Sequence, residues 1–193
     1  MRRFVLAAWL VGSGCGSSKP RQDDVTQMSD DNASVAAQPR PLDKGATAPE
    51  FALADADGRT HTLSALRSSG PVVIVFYQGS WCGTCREQLK RFQDKLADFT
   101  RLGSHLIGIS ADPRDKSKRL AETQGLAFPL LSDSTLSAAG GFGVTQSVGG
   151  LALAAVFVID QQGTVRWAQV GETVPIDQAL DAARELAPRD AGP

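Results

Sequence analysis

The sequence predicts an α/β domain, a central mixed β-sheet flanked by helices, and three observations carry that prediction. From residue 71 to residue 110, apolar runs of strand length alternate with a longer amphipathic run. Two more apolar runs near the C-terminus read as a hairpin followed by a helix. Between the first apolar run and the first long amphipathic run stands Cys82-Gly83-Thr84-Cys85, a Cys-x-x-Cys pair at a strand-to-helix junction. With 193 residues and 42% apolar content, the chain supports one ordinary core.

Taken in order, the elements begin short. Residues 51–53 read as a strand, Asp55-Ala56-Asp57-Gly58 as a turn, and residues 59–63 as a second strand, with Ser64 capping a short helix. Residues 71–77 run through Val72, Val73, Ile74, Val75 and Phe76 without a polar break, as a strand buried on both faces does. The amphipathic run that follows predicts one helix over residues 84–102, and His105–Ser110 is again rich in Ile and Leu. Strand, helix and strand in that order make a βαβ unit, whose strands must be parallel and whose crossover is right-handed. Beyond it, residues 116–124 predict a helix, residues 128–131 a short strand, and residues 134–140 a helix opened by Asp133 or Ser134. Residues 155–160 and 164–169 read as strands joined through Gln161-Gln162-Gly163, where the glycine supplies the positive φ that a short hairpin demands. A closing helix over residues 176–186 is capped near Pro175. A βαβ half joined to a ββα half is the thioredoxin fold.

The first residues stand apart from this domain. Met1-Arg2-Arg3 is a basic start, residues 4–11 are apolar, and Gly12-Ser13-Gly14 places small residues before Cys15, as in a secretory signal. A membrane span needs about 20 apolar residues, far more than this run holds. The segment resembles a bacterial lipoprotein signal, with Gly12 where such signals usually carry Leu. That resemblance implies lipid attachment at Cys15 and a place in the bacterial cell envelope, anchored to a membrane and facing the periplasm or exterior. Residues 16–44 are rich in Ser, Asp, Gln, Pro and Ala without apolar periodicity and read as a disordered linker. Such a linker has a mean span of about 30 Å. Residues 45–188 then form the domain and residues 189–193 a tail. A net charge of −1 offers no basic excess for a nucleic-acid partner.

The cysteine pair carries the chemistry. A free thiol titrates near ~8.5, and the N–H groups at a helix N-terminus lower that to roughly 3.5–7.5. Two intervening residues bring the second sulfur within reach of the first, so the pair can close and reopen as a disulfide. Cys82 is expected at the exposed end of the helix and Cys85 about a turn further in and more shielded. If lipid takes Cys15, the third cysteine, Cys82 and Cys85 are the only redox pair left. Trp81 and Thr84 support the dithiol, with Trp81 either shielding it or simply packing. A closed zinc site would need two more ligands, and His61 and His105 lie far apart and read as surface or strand-end residues, so no metal or other cofactor is expected. Asp112-Pro113-Arg114-Asp115 reads as a helix-entry loop, and the loop over residues 144–153, flanked by Gly140-Gly141 and containing Gly149-Gly150, as a mobile one.

Several segments together resemble the alkyl hydroperoxide reductase/thiol-specific antioxidant family, the peroxiredoxins and related exported thioredoxins. They are Ala48-Pro49-Glu50-Phe51, Val73 to Tyr77, Ile109-Ser110-Ala111-Asp112, Phe128-Pro129-Leu130-Leu131-Ser132-Asp133, Phe142-Gly143-Val144 and Val156-Phe157-Val158-Ile159-Asp160 with Gly163. The resemblance implies a thiol-based oxidoreductase with a protein thiol or disulfide partner such as a thioredoxin-type reductant. Its thioredoxin-like form makes Cys82 the attacking and Cys85 the resolving sulfur, with Thr84 in place of the usual proline. In that form Ala154 falls at the position of the cis-proline and Phe76 at that of the buried acid. Its peroxiredoxin form makes Cys85 peroxidatic toward hydrogen peroxide or alkyl hydroperoxides. Cys82 then stands at the position of the peroxide-binding Thr, and Ala154 at that of the supporting Arg. The expected activity is thiol-disulfide exchange, with peroxidase as the alternative. A third reading, a copper-binding chaperone, rests on exported thioredoxin-fold lipoproteins that use a cysteine pair and a distant His, usually with three residues between the cysteines.

Overall fold

The structure, a computed structural model, describes residues 40–146 and 150–187. Cys15 with its signal-like segment, the linker up to residue 39, the centre of the 144–153 loop and the C-terminal tail lie outside the described residues.

The predicted α/β architecture is present as one seven-stranded mixed sheet in the order β2-β1-β5-β4-β3-β6-β7. Its strands are β1 (Ala52–Asp55), β2 (Thr60–Thr62), β3 (Val72–Phe76), β4 (His105–Ser110), β5 (Leu130–Ser132), β6 (Ala155–Ile159) and β7 (Val165–Val170). The central strands β3 and β4 pair in parallel, from Val72 opposite His105 to Phe76 opposite Ile109. β6 joins the other side of β3 antiparallel and continues through the hairpin into β7.

Every residue of β3 is buried, and alternation sends its side chains into two separate cores. Ile74 and Phe76 join Phe142 and Phe157 on one face, beside helices α1 (Leu63–Ser69) and α5 (Ser137–Gly141). Val73, Val75 and Tyr77 meet α2 (Gly83–Asp94), α3 (Leu96–Arg101), α4 (Arg114–Gln124) and α6 (Ile176–Leu186) on the other. On that second face Gly108 of β4 makes room, since a Cβ there would stand 2.6 Å from Leu130 Cδ2 and 3.6 Å from Leu89 Cδ2. Burying an unbroken apolar run on both faces is why β3 tolerates no polar residue.

Some boundaries differ from the sequence expectation. The single helix over residues 84–102 is two, because Lys95 leaves helical geometry (φ −101°, ψ 2°) and its N–H turns back to Phe92. α1 is capped by Thr62, whose Oγ1 accepts the Ala65 N–H at 3.1 Å, and not by Ser64. β5 starts at Leu130, after Pro129, which has no N–H to give a ladder and contributes only its carbonyl, to Gly108. Asp133 does organise the turn before α5, accepting the Ala139 N–H at 2.9 Å. The ends of the 144–153 loop are paired, with Gln146 N–H on the Leu151 carbonyl and Leu153 N–H on that of Val144. Residues 40–44, at the end of the expected linker, lie against the domain: Leu42 N–H reaches the Phe142 carbonyl, and the Arg40 backbone abuts Gly143.

Candidate active site

The parallel strands β3 and β4 end side by side, and the loops leaving their C-terminal ends enclose a crevice of the kind where α/β proteins hold their chemistry. The loop after β3 runs through Gly79, Ser80 and Trp81 to the cysteines; the loop after β4 brings Asp112 beneath it. Asp112 Oδ2 accepts the Ser80 N–H at 2.5 Å, and Arg86 Nη1 donates to the Ser80 carbonyl at 3.0 Å. An anion on the N–H and a cation on the carbonyl thus hold the two peptide units that flank Ser80, two residues before Cys82. Asp112 is itself held: its N–H meets Ser110 Oγ at 3.3 Å, and Ser132 Oγ donates to its carbonyl at 2.6 Å. Position 79 favours glycine: its φ is +159°, and a Cβ would lie 2.6 Å from Trp81 Nε1 and 3.3 Å from Asp112 Oδ1.

Cys82 is the N-cap of α2. Its backbone is extended, and its Sγ accepts the Cys85 N–H at 3.1 Å, taking the place of a capping oxygen on a donor that the helix leaves unpaired. Thr84 Oγ1 lies 3.3 Å from the same sulfur. Cys85, Gln88, Leu89 and Phe92 follow at i, i+3, i+4 and i+7 and form the buried stripe of α2. The structure joins Cys82 and Cys85 as a disulfide, with Cα atoms 5.2 Å apart.

The expected contrast between an exposed Cys82 and a shielded Cys85 is not found: they are 6% and 4% exposed. The N-cap sulfur turns inward to meet both the Cys85 amide and the Cys85 sulfur, and packs with Val73, Val75 and Tyr77. Trp81 is not a core residue. It is 61% exposed, with its indole against Gly79 at the edge of the site.

The remaining sequence candidates separate. Phe76 lies in the opposite core, 5.2 Å from the Phe142 ring, so the acid position of the thioredoxin pattern faces away from the cysteines. Ala154 is buried directly before β6 and offers its carbonyl to Gly171 N–H. Tyr77 is buried behind the dithiol. Burial pushes its hydroxyl up to about 12, with the Asp112 charge adding and the Ser110 and Ser117 hydroxyls opposing, so it stays protonated at ordinary pH. His61 binds Asp55 at 2.8 Å and His105 binds Ser69 Oγ at 2.8 Å, both as strand residues. Among the described residues, no three His, Cys, Asp or Glu side chains converge as a metal-ligating group.

Sequence reading missed two members of the site, Asp112 and Arg86. Asp112 looked like part of a helix-entry loop. The available signal was its place just past a strand parallel to the one before the cysteines, because neighbouring parallel strands deliver their C-terminal loops to one crevice.

A family model described as the AhpC/TSA family matches residues 44–168. A Mycobacterium tuberculosis protein named as a candidate peroxiredoxin is 37% identical over 134 residues, covering 66% of this chain and 85% of that protein. Alkyl hydroperoxide reductase E of Mycobacterium tuberculosis is 34% identical over 144 residues, 72% of this chain and 93% of the relative. Among solved structures, peroxidoxin BcpB from Mycobacterium tuberculosis superposes with a TM-score of 0.71 at 32% identity, covering 76% of this chain and 99% of that one.

Proposed function

Because the chain belongs to the AhpC/TSA family of thiol-based oxidoreductases, we propose that it performs thiol-disulfide exchange by reversible closure of the Cys82–Cys85 disulfide. The observation that carries this reading is the cap: the Cys82 sulfur sits on an α2 amide, with the second sulfur within the first turn. An N–H donor and the helix dipole both favour the thiolate there. In the forward direction the Cys82 thiolate attacks one sulfur of a substrate disulfide and expels the other as a thiolate. Cys85 then gives up its proton and attacks Cys82 Sγ; the internal disulfide closes and the substrate leaves with two electrons. A thioredoxin-type dithiol is the partner that reopens it.

A second reading, thiol-dependent peroxidase, is favoured by the relatives' names, peroxiredoxin and alkyl hydroperoxide reductase. In it the Cys85 thiolate attacks the O–O bond, becomes a sulfenic acid and releases water or an alcohol. The Cys82 thiol then condenses with it, water leaves, and the same disulfide forms. The alanine at 154 supplies no guanidinium to the developing charge, so this rate should be modest.

Two variants and two oxidants separate the readings. Under exchange, Cys85→Ser accumulates a mixed disulfide through Cys82, and Cys82→Ser is inert toward disulfides. Under peroxidase chemistry, Cys82→Ser still forms a sulfenic acid at Cys85 after a pulse of hydrogen peroxide. Stopped-flow rates of the reduced protein with a disulfide and with peroxide, followed by mass spectrometry, read both; a sulfenylated Cys85 beside an unreactive Cys82 overturns the exchange reading. The basic, apolar and small-residue run ending at Cys15 supports lipid attachment and a place in the cell envelope. Cys15→Ala should then release the protein from membranes, and a wild-type chain that fractionates as soluble without acyl mass contradicts the anchor.

A further inference from the structure

A cleft of about 320 Å³ opens beside the reactive loop, between the start of α2 and the outer face of α4. Ser80 and Arg86 form one wall; Lys116, Arg119 and Thr123 form the other, with Leu120 between them. Its volume falls within the range of small-molecule sites. We propose that this cleft seats the carboxylate of an anionic substrate while the substrate's disulfide or peroxide bond reacts at the dithiol.

Charge is the first support. The whole chain has a net charge of −1, yet three cations from two elements line this one cleft. Arg119 is paired with Asp115 on its own helix. Among the described residues, neither Arg86 nor Lys116 has a carboxylate within ion-pair distance, so two positive charges remain uncompensated. Arg86 commits one N–H to the Ser80 carbonyl, which orients its guanidinium and leaves further donors for a carboxylate.

The lining is the second support. Thr123 turns its hydroxyl back to the Arg119 and Leu120 carbonyls, and Leu120 is buried, so the interior between the cations has an apolar part. Cations at the rim and aliphatic surface between them suit a small amphiphile that carries one acid group. Position is the third. Arg86 follows Cys85 directly and Ser80 precedes Cys82 by two residues, so the cleft lies beside the segment that carries the sulfurs.

This inference rests on the dithiol being the reacting centre, and the test keeps the two apart. The reduced full-length chain is mixed with 5,5′-dithiobis(2-nitrobenzoate), which carries carboxylates, and with neutral 2,2′-dithiodipyridine. A second arm compares a fatty-acid hydroperoxide with its methyl ester. The readout is the charged-to-neutral rate ratio within each arm, for wild type, Lys116→Gln, and Lys116→Glu combined with Arg119→Gln. These positions are exposed, and circular dichroism checks their folding. The ratio should fall about tenfold in the double variant, by less in Lys116→Gln, and wild type should lose its preference as salt rises. An arm in which the ratio falls identifies the substrate that carries the acid. Reaction only with hydroperoxides sinks the exchange reading while still testing the cleft. A ratio that stays at the wild-type value in every reactive arm overturns the cleft, and a chain inert in both arms overturns cleft and dithiol together.

Discussion

The turn at Asp160 and the loop at Ser80 are each held by one buried carboxylate, but the two carboxylates act over very different distances along the chain. Asp160 Oδ1 accepts the N–H groups of Gln162 and Thr164 at 3.0 and 2.8 Å, inside its own hairpin. Asp55 does the same for Asp57 and Arg59 at 2.9 Å each. Asp112, just as buried at 7% exposure, instead holds an amide 32 residues earlier. A local Asx turn can close before the sheet exists, whereas the Ser80 grip forms only once β3 and β4 have paired. The hairpins are thus shaped by their own sequence. The reactive loop is shaped by tertiary assembly, which ties the geometry of the dithiol to the integrity of the sheet.

Breaking the long-range grip should have the largest effect. Asp112→Ala leaves the Ser80 N–H without its acceptor and should cost about 1–3 kcal/mol of stability. Loss of loop geometry should also slow dithiol oxidation by about tenfold or more. Asp112→Asn keeps an acceptor oxygen and should recover much of the rate. Denaturant unfolding and stopped-flow oxidation measure both quantities, and an Asp112→Ala protein that oxidises at the wild-type rate would remove the carboxylate from any role at the site.

The local counterpart should affect stability alone. Asp160→Ala removes an acceptor from two turn amides and weakens the approach of Arg166, 3.7 Å away. We expect about 1–2 kcal/mol by urea unfolding and no change in dithiol kinetics. A slowed dithiol would mean that the two turns are not independent.

Gly79→Ala sharpens the comparison from the steric side. The new methyl meets the Trp81 indole, which is exposed and can swing away, but it also presses on Asp112 Oδ1 and must hold a φ of +159°, so the cost should be about 1 kcal/mol. Trp81 emission should shift as the ring moves. Unchanged emission at full stability would show that the indole does not rest on Gly79.

How much could be read from the sequence follows the same division. His105–Ser110 and Ile176–Leu186 matched to the residue, because apolar periodicity and flanking polar residues are local signals. Both Asp-x-x-Gly turns were legible for that reason, and so was Cys82-Gly83-Thr84-Cys85 at its strand-helix junction. The break at Lys95 was not, since no Gly or Pro marks it and only the turn back to Phe92 does. The inward turn of Cys82 escaped because an N-cap position is ordinarily solvent-facing; here the Cys85 amide and sulfur draw it in. Arg86, Lys116 and Arg119 come from helices roughly 30 positions apart, and only the packed fold brings them to one cleft.

The smallest expected effect is a pH dependence at the other local turn. Burial pushes the Asp55 carboxyl up, but the His61 ring nitrogen at 2.8 Å and the Arg59 and Asp57 N–H groups outweigh it and hold the group below its usual range. A carboxyl whose folded value lies below its unfolded value, near ~3.9, adds stability above the unfolded value. That stability is lost as pH falls through the folded value. Asp55→Asn has no such titration, so wild type should exceed the variant most near neutral pH, and the gap should narrow below about pH 4. Urea unfolding at a series of pH values between neutral and acid reads the gap directly. A gap that stays constant across the series would mean that the fold does not hold the Asp55 carboxyl below its unfolded value, and that the His61 and backbone contacts do not favour its charged form.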